Sequence, residues 1–82
     1  MHVKIITPSQ SVYEGEVGQA KFPGVSGGFE ILKGHAPIIS VLGKGQIFLG
    51  TMRDGDKKFK IDSGVVEVLD NNIVVLVETI TE

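Results

Sequence analysis

The side chains best suited to proton transfer near neutral pH are two histidines, His2 and His35, far apart in the chain. Neither stands in a metal-ligand pattern such as H-E-x-x-H. Gly43-Lys44-Gly45 sets a lysine between two glycines, as a phosphate-binding loop does. It lacks the four-residue spacer after the first Gly and the Ser or Thr after Lys. Glu14 and Glu16 flank Gly15, and the remaining carboxylates are scattered. There is no cysteine, hence no thiolate nucleophile, disulfide or Cys-ligated zinc. Lys57, Lys58 and Lys60 offer either a phosphate or acidic-partner contact or a solvated edge strand whose lysines block further pairing. We read them as the edge strand. The chain is expected to be non-catalytic, with no metal and no cofactor.

The least strand-like stretch is Gly24 to Pro37, GVSGGFEILKGHAP, with four of the 11 glycines and one of the three prolines. Hairpin loops take about 2–5 residues, so so rich a segment does more than join two strands. Loops on a rigid scaffold are where binding residues concentrate. On chemistry alone His35 reads as a partly buried histidine satisfying a loop carbonyl.

The elements that would position these residues are strands. His2, Lys4 and Ile6 alternate with Val3, Ile5 and Thr7 until Pro8 ends the run. Further strands are expected over Ser11–Glu14, Val17–Phe22, Phe29–Leu32, Ile38–Leu42, Gln46–Met52, Lys57–Asp62, Val65–Leu69 and Ile73–Val77. Gly15 reads as a bend and Pro23-Gly24 as a turn. Asp54-Gly55 suits a type I′ hairpin, and Asp70-Asn71-Asn72 a turn in which Asn takes the left-handed region. No window has helical periodicity. The fold class is all-β: a flattened antiparallel β-sandwich or barrel of about nine or ten short strands. Ile38–Leu42 and Ile73–Val77 are apolar on both faces and need cover on both sides.

With 82 residues the chain is expected to form one domain, 1–82. So small a domain buries only about 60–65% of its unfolded surface, which leaves room for a partner's help. A net charge of −2 gives no case for nucleic acid. No apolar run approaches the roughly 20 residues of a membrane span, and MHVKIITP lacks the features of a signal peptide. We expect a soluble protein of the cytoplasm.

The motifs, taken in order, resemble the epsilon subunit of bacterial F-type ATP synthases, the delta subunit of mitochondria. The resemblance covers the whole chain. It runs through Ile6-Thr7-Pro8, Gly15-Glu16-Val17, Pro23-Gly24, Gly27 to Ile31 and Gly34-His35-Ala36-Pro37. It continues through Gly45-Gln46-Ile47, Ile61 to Val68 and Asn71 to Leu76. It implies a flattened β-sandwich acting as a non-catalytic subunit of the rotating central stalk. Such a domain clamps the gamma subunit, rests on the polar loops of the membrane c-ring and couples ion flow to ATP synthesis. It is peripheral, on the cytoplasmic face of the bacterial plasma membrane, with no direct membrane insertion. Carried over by position, the gamma-facing residues are Thr7, His35 and Ser40, which makes His35 a subunit contact. The ring-facing loop is Gly27, Gly28, Phe29 and Glu30.

The sequence also departs from the family. Where Gly-Glu-Phe-Gly-Ile-Leu-Pro-Gly-His is common, this chain reads Gly27-Gly28-Phe29-Glu30-Ile31-Leu32-Lys33-Gly34-His35. The acidic residue expected at 28 is absent. Glu30 is a candidate to take over its contact, although on an extended segment its side chain is expected to leave the opposite face. Lys33 in place of Pro relaxes the loop's φ restriction. Most family members continue into a C-terminal helical hairpin that in some binds ATP. This sequence ends at Glu82, so no ATP binding and no inhibitory helix are expected of it. Two other classes are weighed. A lipoyl or biotinyl carrier needs a lysine at a hairpin tip, whereas the tips here read Asp54-Gly55 and Asp70-Asn71. A nucleic-acid-binding barrel needs stacking aromatics and positive charge.

Overall fold

The computed structural model describes residues 1–53 and 55–81. Nine strands form its regular structure: β1 His2–Ile6, β2 Ser11–Glu16, β3 Gln19–Gly24, β4 Gly27–Leu32, β5 Ile38–Leu42, β6 Gly45–Gly50, β7 Lys57–Ile61, β8 Gly64–Leu69 and β9 Asn72–Val77. They make one continuous sheet in the order β2-β1-β9-β8-β5-β3-β6-β7, with β4 on β3. The sheet folds where β5 meets β3, through the single pair Leu42 and Gly24. On one side of that corner lies the layer β2-β1-β9-β8-β5; on the other, β4-β3-β6-β7. Every strand pairing is antiparallel except β1 on β9, which is parallel.

Period-2 alternation places the core between the layers. Val3, Ile5, Val66, Val68, Ile73 and Val75 come from the first layer; Ala20, Phe22, Ile31, Ile47, Leu49 and Ile61 from the second. All join one cluster of buried side chains. The expected β-sandwich is thus observed, and its alternation is that of the sequence.

Three punctuation marks fall elsewhere than expected. Gly15 does not bend the chain but pairs with Val3 inside β2. Pro23 and Gly24 are the last residues of β3 rather than a turn. Pro23 is tolerated because it needs no donor there, and its carbonyl accepts from Gly43 N at 2.8 Å. Gly24 is required by space, since a Cβ would lie 2.6 Å from the Gly27 carbonyl oxygen. The turn itself is Val25-Ser26. The β8–β9 hairpin turns on Asp70 and Asn71 at φ 50° and 63°, both in the left-handed region, as a two-residue primed turn requires. β6 and β7 pair as expected, and Gly55 between them has φ 77°. Asp54, its expected turn partner, lies outside the described residues.

Candidate functional site

Of the two apolar faces of β5 and β9, the chain itself covers only one. One face is core. On the other, register aligns Ile6 of β1 with Leu76 of β9, Leu76 with Val65 of β8, and Val65 with Val41 of β5. These four side chains make an apolar row straight across the first layer. Val41 is 55% exposed and Leu76 50%. The next row is Lys4, Val74, Glu67 and Ile39, the last 73% exposed. Single exposed aliphatics are ordinary, but contiguous ones mark an interaction surface. The four residues of the first row all line an open cleft of about 530 Å³, walled also by Thr7, Pro8, Ser63 and Glu78.

Thr7 therefore stands at the rim of this face. Its hydroxyl accepts from the amides of Ser9 at 3.3 Å and Gln10 at 3.2 Å, fixing the turn that ends β1. His35 lies at the opposite end of the layer. Its Nδ1 donates to the Ala36 carbonyl oxygen at 2.6 Å, which satisfies the local reading of this histidine. Gly34, at φ 83°, donates its N–H to Asn71 Oδ1 at 2.8 Å, so the Gly34-His35 loop is docked on the β8–β9 turn. Ser40 pairs with the buried Val66 and shares the inward side of β5 with Leu42. Thr7, His35 and Ser40 thus do not converge. Thr7 and His35 lie at opposite ends of strands some five residues long, about 16 Å, and Ser40 points to the other face.

The residues expected as a ring-facing loop are not a loop. Gly27, Gly28, Phe29 and Glu30 begin β4, an edge strand. Phe29 turns inward onto Phe22, ring centroids 5.7 Å apart. Residues two apart on a strand share a face. Glu30 therefore projects on the same side as Gly28, not the opposite one, and its carboxylate accepts from the Gln19 amide.

A polar cluster on the β1–β2 edge has no signature in sequence. His2 Nε2 lies 2.8 Å from Glu14 Oε2, and its Nδ1 3.0 Å from Glu16 Oε2. These bonds, that to Glu14 first, raise the imidazole pKa above its ordinary value. The bond to His2 is likewise the chief cause that lowers Glu14 and Glu16. The pairing register alone brings the three together.

Sequence and fold comparisons can be set beside this geometry. The family profile described as ATP synthase, Delta/Epsilon chain, beta-sandwich domain, matches residues 1–82. An ATP synthase epsilon chain of Chlorobium limicola is 35% identical over 77 residues, covering 94% of this chain and 88% of that one. One from Rhodopseudomonas palustris is 34% identical over 80 residues, 98% of this chain but 58% of that one. A chain in the Euglena gracilis mitochondrial ATP synthase (OSCP/F1/c-ring) superposes with TM-score 0.88 at 14% identity, covering 96% of this chain and 51% of that one. A chain of the Tetrahymena thermophila mitochondrial ATP synthase central stalk and c-ring gives 0.82 at 16%, over 99% of this chain and 65% of that one. With the profile spanning every residue and the curled nine-strand sandwich reproduced, the chain belongs to the ATP synthase delta/epsilon family, as its β-sandwich domain.

Proposed function

We propose that this chain is a non-catalytic central-stalk subunit that docks its open first-layer face on the gamma subunit of ATP synthase and sets the β4 edge against the c-ring. The apolar row Ile6, Leu76, Val65 and Val41 carries the reading. A rotor adaptor has to transmit torque, which favours a stiff two-layer β scaffold with a broad water-excluding contact over a flexible one. Thr7 borders the row, and the docked Gly34-His35 loop supplies a polar anchor at the far end. At the β4 edge Gly27 and Gly28 leave the backbone accessible, and Glu30 supplies the acidic side chain on the Gly28 face. The complex acts at the cytoplasmic face of the bacterial plasma membrane, and this chain meets the membrane only through the ring.

Co-purification with gamma from detergent-solubilised membranes tests the reading, with wild type compared with Val65→Asp and His35→Ala. Val65 is on the outer face, so the carboxylate is solvated in the free chain and is desolvated without a partner only on docking. Loss of gamma with Val65→Asp at an unchanged melting temperature is the expected result, with a weaker loss for His35→Ala. Equal recovery of gamma with Val65→Asp overturns the docking face.

A further inference from the structure

The outer face of the second layer has the opposite character. Register aligns Glu30 of β4 with Lys21 of β3, Lys21 with Phe48 of β6, and Phe48 with Lys58 of β7. Beside them Gln46 of β6 faces Lys60 of β7. Lys44, just before β6, joins Gln46, Lys60 and Thr81 in lining a cleft of about 290 Å³. Edge protection accounts for the β7 lysines. It does not account for Lys21, which stands on β3 between two paired neighbours, or for Lys44 in the β5–β6 turn. None of the four lysines forms an ion pair among the described residues. Glu30, the one acid within the aligned row, is held by Gln19. Lys21 Nζ lies 5.5 Å from the Phe48 ring centroid, so its stem covers the aromatic and the platform presents charge rather than oil. The chain as a whole is negative, at −2, which makes this local concentration of cations a departure from its own average.

We infer that the outer face of β3, β6 and β7 is a second docking surface, for an acidic protein segment. Carboxylates of that segment lie across Lys21, Lys58 and Lys60, and one enters the cleft between Lys44 and Lys60. The surface is separate from the apolar face and needs no partner there, so it stands or falls independently of the gamma contact; through Glu30 it adjoins the β4 face proposed for the ring. Exposed lysines give fast, salt-sensitive association more than tight binding. The site thus suits an exchangeable partner rather than a permanent subunit.

The test is a titration of the isotope-labelled chain with a deca-glutamate peptide at low salt, followed by amide chemical shifts. Saturable shifts confined to β3, β6, β7 and the Lys44 turn are expected. They should vanish as salt shortens the screening length to below about 8 Å. The double charge reversal Lys58→Glu/Lys60→Glu should weaken binding about tenfold or more. Lys21→Gln, away from the edge, should weaken it less but measurably, and no variant should alter gamma recovery. Absence of saturable shifts, shifts centred elsewhere, or affinity unchanged by the reversal overturns the inference. Tighter binding of a single-stranded oligonucleotide than of the peptide overturns it in favour of nucleic acid.

Discussion

Tyr13 and Phe59 meet with ring centroids 5.9 Å apart and planes inclined at 53°. They sit on β2 and β7, the two ends of the sheet's strand order. An aromatic contact, not a backbone ladder, therefore joins the ends of the folded sheet along one seam. At the far end of β7 the same seam has a backbone link: Ile80 bridges Ile61, and Thr81 N donates to the Lys60 carbonyl at 2.8 Å.

Removing either ring should loosen this seam. Both rings are half-buried, so Tyr13→Ala and Phe59→Ala are each expected to cost about 1–3 kcal/mol, below the range for a fully buried aromatic. A double-mutant cycle by urea unfolding should return a coupling of about 0.5–1.5 kcal/mol. Strictly additive losses would mean that the rings stabilise their own layers and not the closure.

Adjacent residues of β9 separate stability from docking. Val75 is fully buried and Leu76 half-exposed on the other face. Val75→Ala should lower stability by about 2 kcal/mol, counting two methylene-sized groups and a small void. Leu76→Ala should stay within about 0.5 kcal/mol of wild type while weakening gamma recovery. Equal destabilisation by the two would place Leu76 in the core and remove it from the docking face.

The strands were legible because alternation is a local property, and nearly every buried residue obeys it. Val3 with Ile5 and Phe59 with Ile61 could be read inward from five residues apiece. The apolar runs at β5 and β9 were legible as needing two covers, but not which side the protein itself leaves bare. That depends on the corner at Gly24 and Leu42, a contact between distant segments. Pro23-Gly24 misled because the same dipeptide serves a turn and a strand whose proline carbonyl faces a third segment. The His2 cluster was illegible for a similar reason: only the β1–β2 register sets one imidazole between two glutamates. The resemblance gave Thr7, His35 and Ser40 as one set, whereas the fold distributes them over two ends and two faces.

The His2 cluster has a definite pH signature. Its pKa is raised above 6.5, so its stabilising contribution is complete below 6.5 and is lost as pH rises through the folded-state value. Glu14 and Glu16 are lowered from 4.5, so theirs is present above 4.5 and lost as pH falls through their folded-state values. The clasp is therefore fully made between 4.5 and 6.5. His2→Gln should narrow the stability gap between pH 5.5 and pH 8.5, by a small amount because all three groups are exposed. A His2 ring titration at or below the free-histidine value would show that the clasp does not form.

Two glycines on either side of one turn are expected to respond oppositely to substitution. At Gly24 a Cβ would stand 2.6 Å from the Gly27 carbonyl oxygen and 2.9 Å from the Phe29 ring, and the backbone oxygen can yield only if the hairpin opens. Gly24→Ala should therefore strain the β3–β4 hairpin and cost about 1–3 kcal/mol, within the range for overpacking. At Gly28 the nearest atom to a Cβ is the Phe22 carbonyl oxygen at 3.6 Å, an ordinary contact, and no positive φ stands in the way. Gly28→Glu, which restores the acidic residue the family pattern carries, should leave the fold intact. It would place a second carboxylate two residues from Glu30 on the same face of β4. If that face meets the ring, Gly28→Glu should alter c-ring recovery in the membrane pull-down without altering gamma recovery, and Glu30→Gln should do the same. Ring recovery indifferent to both substitutions would move the ring contact off the outer face of β4 and onto its open backbone edge.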